Sequence, residues 1–355
     1  MEQRFLGNSG LSVSVLAFGT MTVGGKDRFQ SMGNLGIPET ARMIGMCKDA
    51  GVTLIDTADL YSFGGAEEIL GEVLQGQRED FVICTKAFMR MGPGVHDIGL
   101  SRQHLMQACE ASLRRLRTDY IDLYLAHDPD MLVPAEETLR AYDDLIRQGK
   151  VRYIGCSNFS AWHVMKALGI ADRLGLPRYI CQEVNYSLLA REVEHDIIPM
   201  GIDQNVCIMA WSPLHYGMLT GKFRRDSRPE NSRLNQLDAP GGAVDEEKLY
   251  RIVDILTVIA KERNVTPSQV ALNWVLSKPR VDTVLIGARN EEQLRGNLDA
   301  AKWRLSAEEI AKLDEASAIR KPYPNWHQQK FASERIPRLP AIRPPAPDVK
   351  AVPIT

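Results

Sequence analysis

The chain has 355 residues, long for one ordinary domain but within the range of a single (β/α) barrel. With 25% charged residues, 44% hydrophobic residues and a formal net charge of −2, it reads as a soluble globular protein without an electrostatic footprint for nucleic acid or an anionic membrane. No eighteen apolar residues run together and the N-terminus does not read as a secretory leader, so a cytoplasmic protein without a membrane span is expected. Cys47, Cys84, Cys109, Cys156, Cys181 and Cys207 are scattered, mostly inside apolar runs, with no CxxC pairing. They read as reduced core thiols. In chain order, RFLG and LSVSVLAFG flank a turn-like Asn8-Ser9-Gly10, which predicts an N-terminal β-hairpin running into a first buried strand over 15 to 19. Further apolar runs follow at TLID (53 to 56), FVICTKA (81 to 87), IDLYLAH (121 to 127), VRYIGCSN (151 to 158), YICQEVN (179 to 185), VCIMAWS (206 to 212) and VDTVLIGA (281 to 288), making eight strands.

Helix-period segments lie between them: ETARMIGMCKDAG, AEEILGEVL, LMQACEASLRRLR, AEETLRAYDDLIRQG, AWHVMKALGIADRLG, EHDIIPMGIDQ and EEKLYRIVDILTVIAKER, with EQLRGNLDA after the eighth strand. Several end at Gly, as helix C-caps do. The strands are continuously apolar, so both faces are covered, as in a parallel sheet wrapped by helices. Eight such units predict an α/β fold of the (β/α)8 TIM-barrel type: one domain over 1 to 320, with the N-terminal hairpin and extended loops at the C-terminal face. Residues 321 to 355 are expected to be a C-terminal loop and a Pro-rich tail, extended or disordered over the last twenty residues. A doubly wound nucleotide-binding sheet is the alternative, but no GxGxxG follows an early strand. Gly217-Met-Leu-Thr-Gly221-Lys222-Phe223 has one residue too few between its glycines for a phosphate loop and lacks the Ser/Thr that would meet magnesium. Long loops over 22 to 37 and 215 to 244 fall on the strand C-terminal side, where barrel chemistry sits.

Polar residues collect at that same end. Asp56, Lys86, His127 and Ser157-Asn158 close successive strands, and Tyr61 stands in the loop after the second. Each alone reads as a cap, a surface charge or a structural histidine. Together they put a carboxylate, an ammonium, an imidazole and a phenol at one barrel mouth. Such a set suits proton transfer: an ammonium lowers a phenol pKa from its usual ~10, a carboxylate keeps that ammonium charged and oriented, and the imidazole hydrogen-bonds the oxygen being protonated. No HExxH, helical His pair or Cys/His cluster calls for a metal.

Over residues 3 to 320 the sequence resembles the aldo-keto reductases, specifically their bacterial and potassium-channel-β-subunit-like branch. The resembling stretches are RFLGNSGLSVSVLAFGT, GVTLIDTADLYSFGGAEEILG, the lysine of CTKA, SLRRLRTDYIDLYLAHDPD, VRYIGCSNF, QEVNYSLL, AWSPLHYGMLTGK, TPSQVALNWVL and IGARNEEQLRGN. The resemblance implies a barrel using NADP(H), or NAD(H), with Asp56, Tyr61, Lys86 and His127 as the catalytic set and Tyr61 as general acid and base. It assigns Ser157, Asn158 and Gln182 to the nicotinamide carboxamide and Trp211 to the ring face. The backbone of Leu214, Gly217 and Leu219 with Lys222 falls to the pyrophosphate, Arg289, Gln293 and Asn297 to the adenosine end, and Ser212 and Gly287 to the cofactor site as a whole. Trp211 stands where tyrosine is commoner, which keeps a stacking face. LIGAR stands where better-known members have Pro-Lys-Ser, leaving Arg289 as the 2′-phosphate contact that favours NADP(H). Met21, Phe88, Met91, Tyr323 and Trp326 are expected to line the substrate pocket, apolar enough for a bulky or cyclic carbonyl, or else to be core or lid packing. A detoxifying reductase of small aldehydes and a redox-sensing regulatory subunit are the other functional expectations. The partner is a small carbonyl or alcohol, with a monomer or homo-oligomer both open.

Overall fold

Strands form where the apolar runs lie, and the sheet closes on itself. The structure, a computed structural model, describes residues 1–227 and 244–332. Antiparallel β1 (Gln3–Phe5) and β2 (Ser12–Ser14) make the expected hairpin, with Gln3 opposite Ser14. Eight parallel strands then close a barrel in chain order: β3 (Leu16–Gly19), β4 (Leu54–Asp56), β5 (Val82–Ala87), β6 (Ile121–Ala126), β7 (Val151–Ser157), β8 (Cys181–Asn185), β9 (Cys207–Trp211) and β10 (Val281–Ile286), which pairs back onto β3. Strands β6, β7, β9 and β10 stop one or two residues inside the predicted runs, with His127, Asn158 and Ser212 just past the ends of the first three, whereas Asp56 and Lys86 stay in the ladder, paired with Cys84 and Leu125.

Helices α1 (Ile37–Asp49), α2 (Gly65–Val73), α3 (Arg102–Leu116), α4 (Ala135–Arg147), α5 (Ala161–Leu174), α6 (Ile197–Gln204), α7 (Glu246–Arg263), α8 (Pro267–Leu276), α9 (Glu291–Leu298) and α10 (Ala307–Ala316) wrap the strands. Helix α4 shows the local logic. Leu139, Tyr142 and Leu145 are buried at helical spacing, while Glu136–Arg140 and Asp143–Arg147 pair along the wet face at i,i+4. Side chains of Ser101, Asp245 and Asn290 cap α3, α7 and α9, and Thr266–Gln269 and Ser306–Glu309 form capping boxes at α8 and α10. Helix α8, formed by TPSQVALNWVL, was absent from the helix-period segments. Every residue from Gln269 to Leu276 is buried, so it has no polar face to generate a period. Helix α6 begins at Ile197, three residues later than its pattern, because Glu192–Glu194 takes a tighter 3-10 turn.

Pleating divides the core into two. Leu54, Cys84, Leu123, Leu125, Cys181, Cys207 and Met209 face the barrel interior with Leu6 and Val13 of the hairpin region, whereas Ile55, Ile83, Tyr124, Ile154, Cys156, Val184 and Ile208 face the helices. The hairpin thus plugs the barrel at the N-terminal ends of its strands. Gly7 there has φ +57, and a Cβ would stand 2.1 Å from the Ile180 carbonyl oxygen, so only glycine fits. Arg4 donates to the Val281 carbonyl at 2.6 Å and ties the plug to β10. All six cysteines are buried and free.

The loop over 22 to 37 contains a 3-10 turn, Asp27–Phe29, and a bridge from Val23 to Leu35. In the loop after β9, His215–Thr220 forms another 3-10 turn, and residues 228–243 lie outside the described residues. Contacts divide the chain into two units, Met1–Ala318 and Ile319–Thr355. The second holds α11 (Asn325–Ala332), a helix within the expected loop; its Pro-rich end lies outside the described residues. Among the described residues no helix is long and apolar enough to cross a membrane.

Candidate active site

Two positions beyond the apolar inner layer, four strands turn polar on the same face. Leu54 gives way to Asp56, Cys84 to Lys86, Leu125 to His127 and Cys181 to Glu183. Lys86 is fully buried; its Nζ donates to Asp56 Oδ1 at 2.6 Å and to the Thr57 carbonyl at 2.9 Å, and lies 3.3 Å from Glu183 Oε2. Burial works against its charge, but the Asp56 and Glu183 carboxylates more than offset this and hold its pKa well above the usual lysine value.

Tyr61 arrives on a 3-10 turn, Tyr61–Gly64, in which Ser62 and Phe63 have φ of +52° and +49°. The turn is held from outside: Ser62 Oγ donates to the Val23 carbonyl and accepts from Gly25 N–H, each at 2.8 Å. The loop after β3 therefore sets where the phenol stands. Lys86 Nζ lies 5.3 Å from the Tyr61 ring centroid, with the His127 ring edge-on at 6.1 Å and the Phe29 ring at 6.4 Å. The phenol departs from expectation in one respect. Lys86 does pull its pKa down, but burial outweighs that pull and the Asp56 and Glu183 carboxylates oppose it, so the net direction is upward and the group is held protonated. Burial, then Lys86, lowers His127 to about 3, which makes its imidazole neutral. Among the described residues, His127 Nδ1 has no hydrogen-bond partner.

Asn158, at φ +61, donates to the His127 carbonyl at 3.0 Å and accepts from Trp211 Nε1 at 3.1 Å, joining three strand ends. Ser157 Oγ is buried and finds no partner among the described residues. Gln182 stands elsewhere than expected. Its register partner is Cys156 of the helix-facing core, and its side chain donates to the Phe159 carbonyl, outside the barrel. Glu183, paired with Ser157, takes the inward position beside Lys86. The motif QEVNYSLL contained both residues; the parity of β8 separates them.

After β9, Ser212 at φ +52 accepts from Tyr216 N–H through Oγ and from His215 N–H through its carbonyl, and the Leu214 carbonyl accepts from Gly217 and Leu219 N–H. Leu219 is fully buried and anchors the turn, while Lys222 is exposed. Arg289 is exposed and its guanidinium donates to the Ser31 carbonyl at 3.2 Å. Gln293 accepts from Arg289 N–H at 3.0 Å and Asn297 donates to the Gly287 carbonyl at 3.1 Å. Met21, Phe88 and Met91 are partly buried in the loops after β3 and β5. Tyr323 and Trp326 belong to the second unit, exposed at 75% and 47%.

The sequence profile of the aldo/keto reductase family matches residues 15–318. A probable voltage-gated potassium channel subunit beta of Arabidopsis thaliana is 38% identical over 84% of this chain and 91% of that protein. A putative voltage-gated potassium channel subunit beta of Schizosaccharomyces pombe is 35% identical over 88% and 92%, and versiconal hemiacetal acetate reductase of Aspergillus parasiticus 31% identical over 89% and 96%. With a closed eight-stranded parallel barrel and this match along nearly the whole of it, the chain belongs to the aldo/keto reductase family, which generally uses NAD(P)H.

Proposed function

We propose that the protein is an NADP(H)-dependent oxidoreductase that interconverts a ketone or aldehyde with its alcohol, Tyr61 being the acid in reduction and the base in oxidation. The observation that carries this reading is the Lys86 ammonium, 2.6 Å from Asp56 and 5.3 Å from the Tyr61 ring centroid, with a neutral His127 edge-on to the same ring at 6.1 Å. A buried phenol keeps its proton until negative charge grows on an oxygen against it, and the adjacent ammonium stabilises what remains. Asp56 keeps Lys86 charged and fixed. A neutral imidazole donates one hydrogen bond to the carbonyl oxygen without competing for the proton.

The residues around this set fit a dinucleotide. Ser157 Oγ is an unused buried donor among the described residues, and both Gly217, at φ +92, and Gly287 have open space where a Cβ would stand. Ser157 and Asn158 would hold the nicotinamide with Trp211 as the ring face. The turn from Ser212 through Leu214, Gly217 and Leu219, with Lys222, would hold the pyrophosphate, and Gly287, Arg289, Gln293 and Asn297 the adenosine end. When bound, the reduced nicotinamide supplies the hydride. Arg289 donates to a carbonyl, and a 2′-phosphate offers its fork a stronger acceptor, which favours NADP(H) over NAD(H). Met21, Phe88 and Met91 suit a bulky or cyclic carbonyl better than a small aldehyde.

NADPH oxidation with a carbonyl panel tests the reading: Tyr61→Phe lowers kcat/KM by roughly 10²-fold or more, and unchanged turnover would sink the assigned acid. Arg289→Ala weakens NADPH more than NADH; equal weakening removes the 2′-phosphate role. The second reading is a regulatory subunit whose cofactor occupancy reports redox state, supported by the relatives named as channel beta subunits. Tight cofactor binding with negligible turnover and a stable partner in pull-down favours it.

A further inference from the structure

We propose that Glu183 is a positioning residue for this chemistry: with Asp56 it forms a two-carboxyl cradle around the Lys86 ammonium, and the charge on that cradle sets how readily the Tyr61 phenol releases its proton. The inference deepens the reading of Tyr61 as proton donor and rests on it.

Three observations carry it. Glu183 is 2% exposed and points into the barrel, opposite Ser157 in register and 3.3 Å from Lys86 Nζ, just beyond the 2.6 Å contact that Asp56 makes. Oxygens of Asp56 and Glu183 and the Cys84 sulfur lie within 4.8 Å of one another, so the carboxyls are neighbours and not two ends of a long cavity. Glu183 Oε2, the oxygen 3.3 Å from Lys86 Nζ, makes no well-aligned hydrogen bond among the described residues, so the ammonium meets it as an ion-pair partner while its hydrogen bond goes to Asp56 at 2.6 Å.

The groups facing it come from three elements and its own strand: Asp56 from β4, Tyr61 from the turn beyond it, Cys84 and Lys86 from β5, and Cys181 from β8. One ammonium neutralises one carboxylate. A second buried carboxylate without its own cation is costly, and the state that avoids the cost keeps a proton on one carboxyl. Burial and the neighbouring Asp56 push Glu183 up to about 8. Below that pH the cradle carries one negative charge against the ammonium; above it, two. The second charge draws Lys86 between the carboxylates and raises the cost of a phenolate at Tyr61, where both carboxylates already act in that direction. Reduction therefore weakens as pH rises through about 8, well before the phenol itself titrates.

The experiment compares wild type, Glu183→Gln and Tyr61→Phe in NADPH-dependent carbonyl reduction from pH 6 to 10. Glutamine keeps the shape and cannot ionise. In wild type, one ionisation near 8 lowers kcat/KM roughly tenfold between pH 7 and 9, and in Glu183→Gln the change over that interval is less than about twofold. A step of the same size at the same pH in Glu183→Gln overturns the proposal. A second measurement needs no variant: carboxyl-¹³C NMR of glutamate-labelled wild type shows one glutamate titrating near pH 8. If every glutamate carboxyl has titrated by pH 6, the cradle does not hold a proton and the proposal falls. Wild-type turnover in Tyr61→Phe instead overturns the acid assignment on which the inference rests, a failure distinct from an unchanged step in Glu183→Gln.

Discussion

The barrel has two ends built from the same strands, and they are opposites. At the N-terminal end Leu6 and Val13 complete a layer with Leu54, Leu123, Cys181 and Cys207, fully buried and apolar. Two residues further along the same pleat, Asp56, Lys86 and Glu183 are as deeply buried and ionisable. Burial does not distinguish the ends; what each buried group needs does. An aliphatic layer needs only filled volume, and any well-packed set supplies it. A buried ammonium needs its carboxylates at fixed distances, so geometry at the other end is dictated residue by residue.

That contrast predicts a hierarchy of effects. Lys86→Met strips the cation from two buried carboxyls; we expect a loss of about 3–5 kcal/mol in urea denaturation together with loss of turnover. A stable, active Lys86→Met protein would erase the distinction between the ends. Leu123→Ala in the lower layer opens a cavity and costs about 2–5 kcal/mol, while kcat/KM per folded molecule holds. A selective loss of turnover there would mean that the plugged end shapes the site directly.

Acid separates the ends in another way. His127 titrates at about 3 when folded against a reference of 6.5, so between these values the unfolded chain binds the proton first. Its contribution is complete above pH 6.5 and fades as pH falls toward 3; at pH 5 the loss is about 2 kcal/mol. Thermal melts from pH 7.5 to 4 check this, with His127→Gln expected to lose less stability than wild type over that span. Trp211→Phe, which removes the hydrogen bond to Asn158 at the rim and trims one partly buried ring, costs about 1 kcal/mol and leaves the fold intact by circular dichroism.

Much of this contrast is legible in the chain. Runs such as TLID, CTKA and YLAH are apolar until the residue that enters the mouth, so Asp56, Lys86 and His127 announce themselves as the places where a strand changes character. Glu183 is hidden because CQEVN sets two polar residues side by side, Gln182 and Glu183, one for each face, without saying which faces inward. Only pairing with β7, Ser157 against Glu183, decides it, and that is a tertiary fact. The energetics of the phenol are hidden for the same reason: the lysine visible in the sequence argues for an easier proton, whereas burial, the largest influence on Tyr61, is a tertiary property, and Glu183, which adds to it, comes from a strand far along the chain. Helix α8 shows the complementary failure, since a helix buried on every side has no stripe to see.

Barrel closure joins Leu16 to Val284, with Arg4 and Val281 fastened beside it. A ribosome must therefore deliver nearly three hundred residues before β3 meets its second neighbour, and until then one rim of the nascent sheet is a template for wrong pairing. The hairpin just ahead of β3 is local and forms early. Mutations that loosen it should reduce the yield of correctly folded chains more than the equilibrium stability of those that succeed, because they act while the cylinder is still open.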